Sequence, residues 1–384
     1  MRTLLLACLL LVACNPIMPF QASAPAPEGL MCDRIIVPPK SLSDTLAAAK
    51  AGDCVILPSG TFSGSFVLPE NVSLAASEGA DVTLTGGDPV LTIKGGKRST
   101  VQGVRVVATG VSGVAIEPGP VSLIGVKIAQ AQRNALSATC TKDCADRDVV
   151  LTDCELTQSA VGLRVAGATV RVERGRIAEA AGKALSAGSG VVASDGANVS
   201  LKSVAIEQNE NIGVLLDGAA TRATIDGCTI RNNLGRGVWA QGQTAPEGEA
   251  TVTVTGGEVS GNSLIGIGAR ESSGLVVRQA QVLSTKAVRV PIDISRFEDV
   301  GDGIGLFTGT RGATVEGVVL TGNARAQVLA DGSGADVRVS GTMSGGLFRV
   351  VVQRQLAPVM VEQSLLDAPA AELTVKAASI GLEP

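Results

Sequence analysis

The sequence predicts an all-β solenoid, a fold in which short strands wind into coils that stack on one another. From about Ile35 onward, the chain consists of short runs typical of strands, separated by Gly, Asn, Asp and Ser. The turn residues recur in fixed phase at roughly 22 to 36 residues, which is within the range of solenoid repeats. No helix-forming stretch separates the strands, which argues against alternating strands and helices. An antiparallel sandwich is the alternative, because its short strands also come at even spacing.

The first element, residues 1–14, has the features of a targeting segment. A basic start precedes an apolar run over residues 4–12 that is too short to span a bilayer, and the run leads into Leu11-Val12-Ala13-Cys14. This ending resembles the lipobox of bacterial lipoproteins. The resemblance implies an exported protein that is anchored in the lipid bilayer of the cell envelope through acylated Cys14. An ordinary secretory signal with a chance Cys is the alternative.

Three further segments follow the predicted signal. Residues 15–31 are rich in Pro, Ala and Ser without hydrophobic periodicity, which predicts a flexible tether. Asn15 is not the Asp that favours inner-membrane retention in lipoproteins, so we favour the outer membrane. Residues 32–356 form the predicted solenoid with its N-terminal cap, and residues 357–384 leave the repeat phase and are predicted to be the C-terminal cap.

The stretch from Ser43 to Phe62 predicts how the solenoid begins. Ser43 can cap a short amphipathic helix that Gly52 ends, and Gly52-Asp53-Cys54-Val55 and Gly60-Thr61-Phe62 follow. This stretch resembles the opening of right-handed parallel β-helix proteins of the pectin-lyase-like superfamily. The resemblance implies a right-handed parallel β-helix over nearly the whole mature chain, with the short helix covering the open end of the first coil.

The clearest repeats share one turn pattern. An Asn or Asp is followed by three spacers, a Gly and a β-branched residue, although the last copy has Gln in place of Gly. We expect the first residue of each turn to stack on its equivalents in a ladder of hydrogen bonds. The predicted ladder consists of Asn209, Asn233, Asn262, Asp299 and Asn323.

Six cysteines remain outside the predicted signal and lipidation site. An exported chain meets an oxidising compartment, so disulfides are expected. Cys32 and Cys54 bracket the capping helix, and Cys140 and Cys144 lie close together in an inserted loop, so each pair is predicted to form a disulfide. Cys154 and Cys228 hold the same strand position about three coils apart, which is too far for a direct bond. Cys140 and Cys144 alone lack the ligands of a zinc site, and no metal site is predicted from them.

Composition excludes several function classes. The chain of 384 residues has no His and no Tyr, a net charge of −4 and 2% aromatic residues. Without His there is no Ser-His-Asp or Cys-His nucleophile, and the net charge gives no reason to expect nucleic acid as a partner. The few aromatic rings leave little surface for stacking on sugars.

The largest insertion in the repeat carries the candidate chemistry. Enzymes of the superfamily cleave or epimerise acidic polysaccharides with clustered Asp residues or with a Lys or Arg base, and some use calcium held by carboxylates. By this resemblance, Asp299 and Asp302 would be acid/base groups or calcium ligands, and Arg311 or Arg325 would clamp a substrate carboxylate. The further candidate binding residues are Trp239, Arg296, Arg325 and Asp331.

A structural interpretation of the same residues carries more weight. Asp299 is in phase with the predicted ladder, and Asp302 lies between two glycines, as a tight turn requires. Trp239 fits a packed strand aromatic as well as a sugar-stacking residue. We therefore favour an envelope scaffold that is either structural or binds glycan or protein, and that needs no cofactor. A polysaccharide lyase or glycoside hydrolase is the alternative.

Overall fold

The strands of the protein form three parallel sheets that share one interior. The computed structural model describes residues 30–38, 41–97, 99–117, 119–141, 148–182, 186–244, 246, 249–291, 297–332, 337–353, 359–361 and 374–375. Helix α1 spans Leu42–Ala48. The strands of the first third are β1 (Arg34–Ile36), β2 (Asp53–Leu57), β3 (Gly60–Leu68), β4 (Ser73–Ala76), β5 (Val82–Ile93), β6 (Thr100–Gln102), β7 (Arg105–Val107), β8 (Ser112–Ile116), β9 (Val121–Ile124), β10 (Lys127–Ala129) and β11 (Asn134–Thr139).

The strands continue at the same spacing through the rest of the chain. The middle third contains β12 (Asp148–Thr157), β13 (Val161–Ala166), β14 (Thr169–Ala178), β15 (Ser189–Ser194), β16 (Asn198–Glu207), β17 (Val214–Asp217), β18 (Arg222–Asp226), β19 (Thr229–Arg231), β20 (Val238–Gln241), β21 (Val252–Thr255) and β22 (Glu258–Ser260). The last third contains β23 (Leu264–Arg270), β24 (Leu275–Arg278), β25 (Gln281–Leu283), β26 (Val288–Pro291), β27 (Phe297–Leu306), β28 (Thr314–Thr321), β29 (Ala326–Asp331), β30 (Val337–Ser344), β31 (Phe348–Gln353), β32 (Val359–Val361) and β33 (Thr374–Val375).

Each coil contributes one strand segment to each of the three sheets. Sheet 1 includes β18, β21 and β24, sheet 2 includes β19, β22 and β25, and sheet 3 includes β17, β20, β23, β27 and β29. Long strands such as β14 and β16 bend from sheet 1 into sheet 2 while staying in parallel register with each other. Residues separated by one coil of sequence therefore become neighbours along the stack, which confirms the predicted solenoid.

Alternating side chains of the three sheets meet inside the coils. Leu201, Val204 and Ile206 of β16 are at most 1% exposed and belong to one apolar cluster that continues from coil to coil. Burial of such a side chain contributes roughly 1.5–3 kcal/mol relative to exposure. A single coil could not enclose this surface, so the coils stabilise one another.

Buried amides form a ladder at the turn between sheet 2 and sheet 3. Asn209 Nδ2 donates to Asn233 Oδ1, and Asn233 Nδ2 donates to Asn262 Oδ1, each at 2.8 Å. The next coil has Thr285, whose backbone N–H donates to Asn323 Oδ1 at 3.0 Å. The four Asn side chains are fully buried. The ladder is therefore part of the interior, and its amides are not available to a ligand at the surface.

Asp299 does not belong to this ladder, which corrects one of the five predicted positions. Gly303 does follow Gly266 in the stack, because Ile265 pairs with Asp302 and Ile267 pairs with Ile304. However, the ladder residue of that coil is Thr285, which precedes Gly303 by 18 positions, whereas Asn262 precedes Gly266 by four. Asp299 pairs instead with Arg289, where β26 and the first part of β27 run antiparallel outside the stacked coils.

The N-terminal end is covered by α1 and held by a disulfide. Ser41, and not Ser43, caps the helix: its side chain accepts a hydrogen bond from the backbone N–H of Asp44 at 3.3 Å. The helix buries Leu42 and Leu46 against the first coil. The predicted Cys32–Cys54 disulfide is present and joins the N-terminal segment to β2.

The other predicted cysteine positions have different outcomes. Cys140 is disulfide-bonded, and its predicted partner Cys144 lies outside the described residues. Cys154 and Cys228 are free and buried. The register of β12, β14, β16 and β19 aligns them three coils apart, as the sequence indicates.

The two ends of the chain are described only in part. The predicted signal, Cys14 and nearly all of the predicted tether lie outside the described residues. Near the C-terminus, β32 and β33 still pair in parallel with β30 and β31, so coil stacking continues beyond residue 356. The rest of the predicted C-terminal cap is outside the described residues. Within the described ranges, no helix has the length and apolarity needed to cross a bilayer.

Candidate functional site

The largest insertion of the repeat forms a hairpin beside sheet 3. Strand β26 pairs antiparallel with the first part of β27, with Arg289 opposite Asp299 and Val290 opposite Glu298. The second part of β27 then enters sheet 3 between β23 and β29. Asp299 is exposed on this hairpin. Arg296, a predicted binding residue, lies outside the described residues.

Asp302 and Arg325 form a buried ion pair at the base of the hairpin. Asp302 is completely buried, and its Oδ1 accepts from Arg325 Nε at 2.9 Å while Oδ2 accepts from Nη2. Oδ1 also accepts from the backbone N–H of Ala326 at 3.2 Å. Glu298 approaches the same guanidinium from the hairpin, with its Oε2 3.3 Å from Nη1. One arginine therefore ties the hairpin to the next coil.

The surroundings of this pair set its electrostatics. Burial raises the pKa of Asp302, and the hydrogen bonds from Arg325 partly oppose that rise. Burial lowers the pKa of Arg325, but Asp302, Glu298 and Asp331 outweigh this effect, and its pKa is raised overall. Asp331, a predicted binding residue, is 1% exposed in β29, and its charge contributes to the raised pKa of Arg325.

Arg311 is not brought to this cluster. It lies beyond the other end of β27, in the turn where it bridges Ser273, and it is exposed. The three predicted catalytic residues are thus an exposed Asp299, a fully buried Asp302 and a distant Arg311. Arg325 is already bound by protein carboxylates, so it is not open to clamp the carboxylate of a substrate.

The described part of the chain offers no metal centre. No group of three or more His, Cys, Asp or Glu side chains within it could hold a metal ion.

Trp239 is packed on the outside of sheet 3 and is 3% exposed. Its ring lies against the backbone of Gly268 in the next coil, where an added Cβ would come within 2.5 Å of the ring, and it contacts Phe307 with ring centroids 5.6 Å apart. Its Nε1–H donates to Gln241 Oε1 at 2.8 Å. The sugar-stacking surface considered for Trp239 is therefore covered.

The structure shows two groups of charged residues that are not predicted from the sequence. On sheet 2, Arg176 binds Glu207 at 2.8 Å and Glu179 at 2.9 Å, and Arg231 binds Glu207 at 2.8 Å. Alternating charges on successive copies of one strand could have indicated this network. The other is Arg236, whose guanidinium carbon lies 4.4 Å from the centroid of the Trp239 ring. Its only sequence signal is its position between two glycines, three residues before the single Trp.

Comparisons with known proteins agree with this architecture. The family model described as "Right handed beta helix region" matches residues 106–286. Among solved structures, the chain is similar to the periplasmic alginate epimerase AlgG, with 10% identity, 86% of this chain and 82% of AlgG covered, and a TM-score of 0.50. The fold is a right-handed parallel β-helix.

Two further β-helix structures are similar at lower scores. The alginate lyase from Paenibacillus sp. str. FPU-7 has 15% identity over 64% of this chain and 95% of its own, with a TM-score of 0.46. The pectate lyase Pel9A has 13% identity over 92% of this chain and 83% of its own, with a TM-score of 0.38. Curated protein sequences give no match. Sequence identities this low support a shared fold, but they do not identify a reaction.

Proposed function

We propose that this β-helix is a lipid-anchored scaffold of the cell envelope that binds acidic polysaccharide without cleaving it. The observation that carries the proposal is the closed ion cluster of Asp302, Arg325 and Glu298 at the predicted catalytic position. Hydrolysis of a glycosidic bond requires two carboxyl groups that face the substrate, and β-elimination requires a free base beside the acidic proton. Neither is available from side chains that neutralise each other inside the fold.

The shape of the molecule supports a binding role. Stacked coils at about 4.8 Å spacing give a rod whose outer side chains repeat along its length, as the sugars of a linear polysaccharide do. An exposed arginine such as Arg311 can attract a polyanion, and it can donate hydrogen bonds to its carboxylates. The superfamily resemblance favours glycan over protein as the partner.

The test compares binding with turnover in the full-length chain. The detergent-extracted protein is incubated with polymannuronate, polygalacturonate and a neutral glucan. Retention on the immobilised polymers and the formation of unsaturated products or new reducing ends are both measured. We expect salt-sensitive retention on the acidic polymers and no products. Product formation that Asp302→Ala abolishes would establish the enzyme alternative, and equal retention on the neutral glucan would contradict an acidic ligand.

A further inference from the structure

Arg236 carries a charge that nothing in the described part of the protein compensates. It lies in the turn between the ladder residue Asn233 and strand β20, on the outer side of sheet 3. Most of the side chain is buried, and the remainder reaches solvent. Its Nε is buried without a hydrogen-bond partner, and no acidic side chain among the described residues forms an ion pair with its guanidinium.

The neighbours of Arg236 make this unusual. The positions above and below it in the stack are Ile265 and Ile212, both buried and apolar. The nearest acidic group on the outer face of the adjacent strand, Asp217, accepts a hydrogen bond from Gln241 Nε2 at 3.1 Å. Burial lowers the pKa of Arg236 to about 10, and no charged neighbour offsets that effect. Arg325, three coils further along sheet 3, has three carboxylates near it that raise its pKa.

Trp239 fixes the orientation of this cation. The guanidinium stacks over the indole ring, whose negative face attracts it, and the ring itself is held by Gly268 and by its hydrogen bond to Gln241. A guanidinium held in this way keeps a planar fork of N–H donors in one direction. Such a fork matches the two oxygens of a carboxylate.

We infer that Arg236, held over Trp239, is the residue that binds a carboxylate group of the acidic glycan. This inference rests on the proposed function, because it assigns the contact that recognises the ligand. A carboxylate at the solvent-exposed part of the guanidinium would supply the missing counter-charge and accept hydrogen bonds from it in a site of low polarity, where both interactions are strong. A neutral sugar offers no such compensation.

The unpaired charge also predicts how Arg236 affects the stability of the protein without ligand. A buried donor without a partner and a charge without a counter-ion both disfavour the folded state. Arg236→Met should therefore leave the melting temperature unchanged or raise it, while it weakens binding. If Arg236 served only packing or an ion pair within the protein, Arg236→Met would lower the melting temperature.

The experiment uses Trp239 as its probe, because it is the single Trp of the chain. Full-length protein in detergent is titrated with oligogalacturonate and oligomannuronate, and with their methyl esters, while the tryptophan fluorescence is recorded. We expect a saturable change in fluorescence with the free acids and none with the esters.

Three variants test the role of Arg236. Arg236→Met should weaken binding at least tenfold, as expected for loss of a charged hydrogen bond. Arg236→Lys should bind more weakly than the wild type. Arg133→Met, an exposed arginine at the equivalent turn four coils away, is the matched control and should bind as the wild type does.

The outcomes separate this inference from the proposed function. If the wild type and Arg236→Met bind the acids with equal affinity, the scaffold stands and the role of Arg236 is wrong. If the esters bind as well as the acids, a carboxylate is not what the site recognises. If the wild type binds neither the oligomers here nor the polymers in the retention assay, the proposed function fails.

Discussion

Buried amides hold the turn between sheet 2 and sheet 3 at the scale of single residues. Asn233 accepts from Asn209 and donates to Asn262, so one side chain satisfies groups in two neighbouring coils. Asn233 also accepts from the backbone N–H of Asn209 at 3.1 Å. Loss of one amide therefore leaves buried donors on its neighbours unsatisfied.

Asn233→Ala is expected to destabilise the protein by about 2–4 kcal/mol, because the backbone N–H and Nδ2 of Asn209 both lose their acceptor. Urea unfolding followed by circular dichroism measures the difference. Asn198→Ala on the exposed edge of β16 is the control, and it should change the unfolding free energy by less than about 0.5 kcal/mol. If the two substitutions changed the unfolding free energy equally, the buried ladder would contribute no more to stability than an exposed Asn does.

At the scale of elements, the inserted hairpin depends on one buried cation. Arg325 is held by Asp302 of the sheet and Glu298 of the hairpin. Removal of the cation leaves Asp302 charged and unpaired in the interior, whereas removal of both partners also removes that buried charge. The two cases therefore differ in the size of the stability loss.

Arg325→Met is expected to cost about 3–5 kcal/mol, and Arg325→Met combined with Asp302→Leu should recover most of this loss. The comparison requires urea unfolding of the wild type, both single variants and the double variant at pH 7. A double variant as unstable as Arg325→Met would argue against the charge as the cause and would favour lost packing of the long side chain.

The strands of sheet 2 carry a second charged network, and its effect depends on pH. Hydrogen bonds from Arg176 and then Arg231 lower the pKa of Glu207 despite partial burial. A carboxyl group with a lowered folded-state pKa stabilises the fold at pH values above its unfolded value of about 4.3. That contribution is lost as the pH falls from there through the folded-state pKa.

Glu207→Gln should therefore lower the unfolding free energy at pH 7 by about 1 kcal/mol, discounted for the partial exposure of both arginines. It should also flatten the pH dependence of stability below pH 5. Urea midpoints measured between pH 3 and pH 7 give both quantities. Glu78→Gln, a substitution on an exposed turn, controls for the same change in net charge. An unchanged pH profile in Glu207→Gln would contradict the lowered pKa.

The stack could be predicted from the sequence because its turns repeat, whereas the candidate site could not. Asn209, Asn233 and Asn262 share one phase with Gly213, Gly237 and Gly266, and strand spacing then follows. An alignment without gaps counts back four residues from Gly303 and reaches Asp299, although the fold uses Thr285. A threonine in this position has no pattern that distinguishes it from other turn residues.

The environments of the Asp302 and Arg236 side chains could not be predicted from the sequence either. Asp302 lies between glycines, as an exposed turn residue would, but the inserted hairpin and Arg325 enclose it. Arg236 meets Trp239 through the geometry of one turn, and its lack of a partner depends on Ile212 and Ile265 from the adjacent coils. Burial and pairing of this kind arise only once the coils are stacked.

At the scale of the whole molecule, the proposed anchor and the rod have separate tasks. The predicted lipid on Cys14 fixes one end at the membrane, and the Pro-rich segment after it leaves the rod free to orient. Strong membrane attachment and an independently folded β-helix should therefore be separable by one substitution.

Cys14→Ser is expected to move the protein from the membrane fraction to the soluble periplasmic fraction of a bacterial host without altering its melting temperature. Immunoblots of the fractions and circular dichroism of the purified protein make the measurement, and Cys8→Ser is the control. Retention of Cys14→Ser in the membrane fraction would contradict lipid anchoring at this residue.

The antiparallel pair of β26 and the first part of β27 shows how such a molecule can change in size. These extra residues of one coil lie beside the stack, while the neighbouring strands β23 and β27 keep their parallel register. The height of the rod can therefore change only in whole steps, through gain or loss of an entire turn of chain. Small insertions alter its outline, and only the duplication of a complete coil alters its reach.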